Sequence, residues 1–341
     1  MKKTKVAING FGRIGRSFFR VAYQHSDLEI VAINDLGDIK NLAYLLKYDS
    51  AQGTMNVSIE AQDGELVVDG SKVKFFSQKD PAALPWRDLD VAIVVESTGF
   101  FASYEKAKVH LDAGAKRVVI TAPAKGEVPE GITGATVLMG INDEKLQTCD
   151  ISSNASCTTN AGSPLIQILH EAIGIEKALL NTVHGYTASQ SLVDSPAADD
   201  YRRGRAAAVN IVPSSTGAAI SVTEAIEELK GKFDGIAVRV PVVSGSIVDV
   251  TFLASRTTSV EEVNNILRKA AEQERWKKLF TVTEEPLVSS DIIGSPHASI
   301  DDLALTRVVD GNLVKVMAWY DNEMGYTYSL LEHVLTTARY V

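Results

Sequence analysis

The segment Gly10-Phe11-Gly12-Arg13-Ile14-Gly15 constrains this chain more than any other. The spacing G-x-G-x-x-G says little alone. Here a strand-like run at residues 5–8 precedes it and a helical pattern over 16–25 follows. In that setting the first glycine permits a tight turn and the second lets the backbone approach a pyrophosphate. The third lets the helix pack close to the strand, and the helix N-terminus faces the anion. A second apolar run at residues 30–33 ends in Asn34-Asp35. Asp35 follows the last glycine by about 20 residues, where an acidic side chain accepts hydrogen bonds from ribose hydroxyls and repels the extra phosphate of NADP. A plain glycine turn with Asp35 as a loop residue would leave this order of strand, glycines, helix, strand and acid unexplained. Ser97-Thr98-Gly99 follows another apolar run and reads equally as a turn or as a second contact at a strand end.

The first half continues the pattern. Residues 6–8, 30–33, 91–95, 118–120 and 137–139 are short, apolar and non-alternating, as strands buried on both faces are. Helical stretches at 16–25 and 104–113 lie between them, so a Rossmann-type, doubly wound parallel sheet is expected. The second half differs. Residues 235–254 and 313–320 are rich in valine and isoleucine and partly alternating, which predicts a mixed, largely antiparallel sheet in an α+β domain. Helices are predicted over 216–229 and 324–337, and from the capping-box spacing Ser259-Val260-Glu261-Glu262 to about 274. The fold class is α/β, with the domain boundary where the pattern changes, near residue 150.

Length and charge narrow the function. A chain of 341 residues suits two domains, and 45% hydrophobic residues supply their cores. The net charge of −9 repels phosphate backbones, so nucleic-acid binding is not expected. The basic run Arg202-Arg203-Gly204-Arg205 runs against the trend and reads as a solvated or interface loop before an anion site. Two cysteines, Cys149 and Cys157, are too few for a disulfide framework or a thiolate metal site, so no metal is expected. No secretory h-region, membrane-spanning run or lipidation signal is visible, so the expected location is cytoplasmic.

Ser153-Asn154-Ala155-Ser156-Cys157-Thr158-Thr159-Asn160 places one cysteine among small polar residues just before an apolar helical pattern. Unpaired N–H groups at a helix start stabilise a thiolate and are expected to lower its pKa from about 8.5 toward neutrality. A buried structural cysteine beside a cap fits the same residues. Of the six histidines, His25, His110, His170 and His333 sit in helix-like stretches as surface or packing residues, and His297 in a loop. His184 ends an apolar run, where a general base is well placed. Arg239, in the run Ile236-Ala237-Val238-Arg239-Val240, reads either as an arginine emerging into solvent or as an anion ligand.

The segment 153–160 resembles the active-site motif of glyceraldehyde-3-phosphate dehydrogenases. So do Asn9-Gly10-Phe11-Gly12-Arg13-Ile14-Gly15-Arg16, His184-Gly185-Tyr186-Thr187-Ala188-Ser189-Gln190, Arg205-Ala206-Ala207 and Pro213-Ser214-Ser215-Thr216-Gly217-Ala218-Ala219. Ala237-Val238-Arg239-Val240-Pro241 and Trp319-Tyr320-Asp321-Asn322-Glu323 complete the series, in family order along nearly the whole chain. The resemblance implies an NAD-dependent phosphorylating oxidation of glyceraldehyde 3-phosphate to 1,3-bisphosphoglycerate. Cys157 would be the nucleophile and His184 the base. Thr187, Ser189 and Arg239 would hold the substrate phosphate, and Ser156, Thr158, Thr216 and Gly217 the inorganic phosphate. Gly10, Gly12, Arg13, Ile14, Gly15, Asp35, Ser97, Thr98, Thr121, Asn322 and Tyr326 would serve the cofactor. It also implies an NAD-binding domain over 1–156 completed by a C-terminal helix from about 322–341, a catalytic domain over 157–321, and a homotetramer in which the loop 201–205 reaches a neighbouring subunit.

This chain departs from the pattern at Ala161, where many members have a second cysteine, and at Gly185 and Met324; none of these removes a catalytic group. Leu36 and Pro196 resemble the NAD-using branch. Two rival readings are an erythrose-4-phosphate or other semialdehyde dehydrogenase, disfavoured by Tyr186-Thr187-Ala188, and a regulator that kept the fold, which has no chemical reason to keep Cys157, His184 and Arg239 together.

Overall fold

The computed structural model describes residues 3–197 and 200–341, and the statements below concern these. The chain divides into two compact units, Met1–Ala155 with Leu330–Val341, and Ser156–Ser329.

The first unit is built on a nine-stranded sheet in the order Gly134–Thr136, Ile151–Ser153, Arg117–Ile120, Ile93–Glu96, Thr4–Asn9, Leu28–Asn34, Ser71–Phe76, Glu65–Val68, Ile59–Gln62. Neighbours run parallel from the first of these through Ser71–Phe76, and the last two strands turn back antiparallel. The chain winds outward in both directions from Thr4–Asn9. Its pairing with Ile93–Glu96 is therefore a topological switch point, and a crevice opens beyond the carboxyl ends of the strands there. Val6, Ala7, Ile8, Val94 and Val95 are fully buried, which is why these runs do not alternate. The first helix, Arg13–Ala22, begins three residues before the predicted start and takes Gly12 as its N-cap. Residues 137–139 do not form the predicted strand. The ladder is carried by Gly134–Thr136, paired to Ile151–Ser153, and the apolar 137 and 138 are buried beyond its end. Apolar runs report burial, and a strand's end is set by where its partner's backbone stops.

The second unit carries an eight-stranded sheet: Val212–Ser215, Phe233–Val240, Ile175–Gly185, Ser246–Ala254, Leu313–Tyr320, Ser299–Asp302, Phe280–Thr283, with Arg307–Val309 also paired to Leu313–Tyr320. Ile175–Gly185 is parallel to Phe233–Val240, and Phe280–Thr283 to Ser299–Asp302; the other pairs are antiparallel. The mixed, largely antiparallel sheet expected from the sequence is therefore present. The run 235–254 is two strands broken around Gly245, whose φ of 94° only glycine adopts readily. Helices Cys157–Ile173, Ala218–Ala225 and Val260–Ala271 belong to this unit. Ser259 caps the last of them by accepting from the Glu262 N–H at 3.2 Å. Glu262 turns to Arg256 and Thr258, so the capping box is only half formed. The final helix, Met324–Thr337, has the predicted bounds. No helix of the described residues is long and apolar enough to cross a membrane.

Candidate functional site

In the first unit a cleft of about 430 Å³ is lined by Asn9, Gly10, Gly12, Asp35, Ser97 and Thr98 among others. The three glycines divide the work as their spacing predicts. A Cβ on Gly10 would lie 2.6 Å from the Thr98 nitrogen, and one on Gly15 2.0 Å from the Gly10 oxygen, so neither position admits a side chain. A Cβ on Gly12 would meet nothing within 4 Å, which leaves the helix N-terminus open to an anion. Asp35 accepts from Phe11 N at 2.6 Å and Gly37 N at 2.8 Å, so its carboxylate is fixed at the cleft wall. Leu36 and Phe100, 63% and 80% exposed, add apolar surface to the same wall. An open helix start for a pyrophosphate, a carboxylate for a ribose and apolar faces for a base fit a dinucleotide.

Not every residue expected at this cleft lines it. Arg13 is paired with Asp49, its Nη1 2.5 Å and Nη2 3.1 Å from the carboxylate oxygens. Ile14 and Gly15 lie within the first turn of helix behind the lining residues. Thr121 follows the strand Arg117–Ile120 and donates its N–H to the Glu96 carbonyl at 3.0 Å. Asn322 and Tyr326 belong to the second unit. There the Asn322 amide oxygen accepts from Gly245 N at 3.1 Å and Ser246 Oγ at 3.0 Å, which fixes its NH2 group as the donor it can offer.

The second unit brings Cys157, His184 and Arg239 together. Register does this: His184 and Arg239 are paired residues on adjacent parallel strands. Cys157 opens its helix, and the N-cap Ser156 accepts from Thr159 N at 3.1 Å. Ala155, just before, has φ 54°, a left-handed backbone that costs a non-glycine residue about 1–2 kcal/mol and marks the sharp entry to the helix. Cys157 Sγ lies 3.3 Å from His184 Nε2. On the other side of the ring, Nδ1 is 2.6 Å from Gly185 O and 2.5 Å from Arg239 Nη1. A ring nitrogen cannot donate to the carbonyl and accept from the guanidinium at once. Arg239 Nη1 also reaches Gly185 O at 3.3 Å, so the guanidinium keeps a partner when Nδ1 carries its proton against the carbonyl. That tautomer leaves the Nε2 lone pair facing the thiol.

Burial, and then the Arg239 charge, push the His184 pKa down to about 3, so the imidazole is a neutral proton acceptor at pH 7. The expectation for the cysteine is corrected. Burial pushes the Cys157 thiol up, and it outweighs the Arg239 charge and the hydrogen bonds from Thr158 and from its own N–H that favour thiolate. Cys157 is half-buried, and at its sulfur desolvation outweighs what the helix start supplies.

Thr187 Oγ1 and Ser189 Oγ are 2.9 Å apart in an exposed turn after the His184 strand. Thr216 Oγ1 accepts from Ala218 N at 3.1 Å, and Gly217, the N-cap of Ala218–Ala225, faces open space. The Thr158 hydroxyl is already engaged, 2.9 Å from Tyr320 OH, which lies 2.7 Å from Thr182 Oγ1. Sequence reading did not find this buried hydroxyl chain; Thr158, Thr182 and Tyr320 are distant in sequence and nothing local connects them. Cys149 is buried, and burial raises its thiol too. In the basic run, Arg203 Nε donates to Ser214 Oγ and Arg205 Nε to Asp194, each at 2.9 Å. No cluster of metal-ligating residues occurs among the described residues.

A dinucleotide cleft in one unit and a thiol–imidazole–guanidinium group in the other define a nicotinamide-dependent oxidoreductase that works through a cysteine. Comparison with known proteins narrows this class. The profile of the glyceraldehyde 3-phosphate dehydrogenase NAD binding domain matches residues 4–104, and that of the C-terminal domain matches 156–322. Glyceraldehyde-3-phosphate dehydrogenase of Thermotoga maritima is 50% identical over 331 residues, covering 96% of this chain and 97% of that protein. The Borreliella burgdorferi enzyme of the same name is 48% identical over 336 residues, covering 96% and 98%. This chain belongs to the glyceraldehyde-3-phosphate dehydrogenase family, and its cofactor is NAD.

Proposed function

We propose that this chain oxidises D-glyceraldehyde 3-phosphate to 1,3-bisphosphoglycerate with NAD and inorganic phosphate, a step of glycolysis and gluconeogenesis. The observation that carries the reading is the 3.3 Å approach of Cys157 Sγ to His184 Nε2, with Arg239 beside the ring and in register with it. As Cys157 Sγ adds to the aldehyde carbon, its proton passes to His184 Nε2 and from there to the oxygen that was the carbonyl, which gives a neutral thiohemiacetal and leaves Nε2 free again. His184 Nε2 then accepts the hydroxyl proton as the C–H electron pair leaves. NAD, when bound, supplies the hydride acceptor. The resulting thioester is attacked by phosphate, the C–S bond breaks, and the thiolate returns as the acyl phosphate forms.

The residues are assigned accordingly. Arg239, Thr187 and Ser189 hold the substrate phosphate, a guanidinium fork with two hydroxyls. Ser156, Thr158, Thr216 and Gly217 receive inorganic phosphate. Gly10, Gly12, Arg13, Ile14, Gly15, Asp35, Ser97, Thr98 and Thr121 serve the dinucleotide, and Asn322 and Tyr326 its nicotinamide end. Residues 1–156 with the C-terminal helix act as the NAD-binding domain and 157–321 as the catalytic domain. The working form is a cytoplasmic homotetramer without nucleic-acid or membrane partners.

The test is spectrophotometric. NADH formation from glyceraldehyde 3-phosphate should continue through many turnovers only when inorganic phosphate is present. Equal steady-state rates without phosphate would sink the phosphorylating step, and no NADH in either case would sink the substrate.

A further inference from the structure

Beneath the dinucleotide cleft runs a chain of buried polar groups that the reaction does not use. Glu96 ends the strand Ile93–Glu96, is 2% exposed, and is the node. Its Oε1 accepts from Thr98 N at 2.8 Å and from Thr98 Oγ1 at 2.5 Å. Its Oε2 accepts from Asn9 Nδ2 at 2.5 Å and faces His110 Nε2 at 3.0 Å. His110 is fully buried on the helix Tyr104–Asp112. The Trp86 indole N–H lies 3.1 Å from His110 Nδ1, and an indole can only donate. Nδ1 therefore carries a lone pair, and the ring's proton sits on Nε2, directed at Glu96. On the far side Asn34 Nδ2 donates to Asn9 Oδ1 at 2.7 Å. Asn34 itself is locked by Gln78, whose N–H it accepts at 2.8 Å and whose carbonyl it reaches at 3.0 Å.

We propose that Glu96, supported by His110, is a positioning residue for the dinucleotide: its carboxylate joins the turn after the first strand to the turn after its own, and so sets the width of the cleft between them. Four of the groups tied into this chain, Asn9, Asn34, Gln78 and Thr98, line the cleft. All four acceptor positions of the carboxylate face donors, and the donors cannot turn away. Thr98 N is backbone. The Asn9 amide cannot flip without setting its NH2 against that of Asn34, which Gln78 holds in place. His110 cannot move its proton to Nδ1 without facing the Trp86 N–H. Only the Thr98 hydroxyl can rotate. An amide at position 96 keeps the volume but offers one oxygen in place of two, so its NH2 must oppose N–H donors. The relief open to it is movement of the Asn9 or the Thr98 turn, and both are cleft walls.

The inference rests on this cleft being the NAD site, and the experiment separates the two claims. NAD is titrated by calorimetry into the full-length chain and into Glu96→Gln, with KM, kcat and thermal midpoint measured alongside. Glu96→Gln should raise the Kd and KM for NAD about 10- to 100-fold, while kcat at saturating NAD stays within about threefold. Trp86→Phe removes the outermost donor and leaves the carboxylate's four donors in place. It should lower the thermal midpoint while leaving the Kd within about twofold. If Glu96→Gln does not yield folded protein, Trp86→Phe combined with His110→Leu decides, with a Kd rise of about 3- to 10-fold expected from the loss of one donor. Unchanged NAD affinity in the folded Glu96→Gln chain, or in that double variant if it must serve, overturns the proposal. So does a loss of affinity in Trp86→Phe matching that of Glu96→Gln. Failure of the unmodified chain to bind NAD would instead remove the cofactor site.

Discussion

Glu96 and Asp301 are both buried carboxyl groups on strands paired on both sides, one in each unit, and their surroundings are opposite. Glu96 meets donors from Asn9, His110 and Thr98. Asp301, on Ser299–Asp302, pairs in register with the buried Ala318, and neither of its oxygens has a hydrogen-bond partner among the described residues. Burial, with the neighbouring Asp302 charge, raises its pKa well above the carboxylate range. A buried acid can thus be an organiser held by donors or a filler without them, and the number of donors around it decides which. The contrast extends to function. The first unit presents backbone to its ligand: two glycines that admit no side chain, one that leaves a helix end open, and strand ends tied together from beneath. The second presents side chains, a thiol, an imidazole and a guanidinium whose reactivity depends on their mutual distances.

The largest effect should come from breaking the side-chain half of that contrast. Cys157→Ala is expected to lower NADH production by about 10⁴-fold or more, while Cys149→Ala stays within about twofold. Alkylation with peptide mapping reads the same distinction, and inactivation that tracks Cys149 alone would overturn it. Arg239→Leu comes next. Losing a two-pronged, charge-assisted contact should cost roughly 2–4 kcal/mol, or about 30- to 1000-fold in kcat/KM on glyceraldehyde 3-phosphate. Activity on unphosphorylated glyceraldehyde should fall much less, because that substrate has no phosphate to hold. Equal losses on both would assign Arg239 to the scaffold.

The buried titrating groups sharpen the comparison between the carboxyls. His184 and His333 are held neutral by burial to about pH 3. His333 is fixed between Ser152 Oγ at 2.7 Å and Asn154 Oδ1 at 3.1 Å. Their unfolded pKa is about 6.5, so below that pH the unfolded chain binds more protons and stability falls as pH drops, by about 1.4 kcal/mol per pH unit for each histidine. Asp301 acts with the opposite sign. Its raised folded pKa makes its contribution greatest below about pH 4 and smaller as pH rises toward the folded value. Asp301→Leu should therefore stabilise the chain at pH 7 by about 1–3 kcal/mol in denaturant titrations and steepen the loss of stability as pH falls from about 6.5 to 4, because the opposing slope is removed. A destabilised variant would mean that Asp301 has a partner and is not a filler. The smallest effect belongs to the first unit. Asp35→Ala should weaken NAD about tenfold and narrow the preference over NADP, since a ribose hydrogen bond and a like-charge repulsion are removed together. If the unmodified chain used both cofactors equally well, that role of Asp35 would fall.

Much of this was legible from local pattern. The glycine spacing, the non-alternating strands and the final helix follow from periodicity and backbone sterics, which act over a few residues. The apolar pattern predicts a strand at 137–139 where the structure has Gly134–Thr136, because burial continues past the point where pairing stops. Helical pattern makes His110 and His333 surface or packing residues; both are packed inside, and their hydrogen-bonded partners lie on other elements, beyond the reach of any local signal.

What the sequence by itself determined is the alternation of strand and helix, the turn at Gly10 that only glycine fits, and a cysteine at a helix start. These depend on steric and hydrogen-bonding rules between near neighbours. Tertiary structure alone decided that His184 and Arg239 fall opposite each other in a parallel ladder, and that burial raises the Cys157 thiol instead of lowering it. It also decided that Glu96 meets a full set of donors while Asp301 meets none. Those outcomes depend on distance and on exclusion of water, and both are properties of groups brought together from remote parts of the chain.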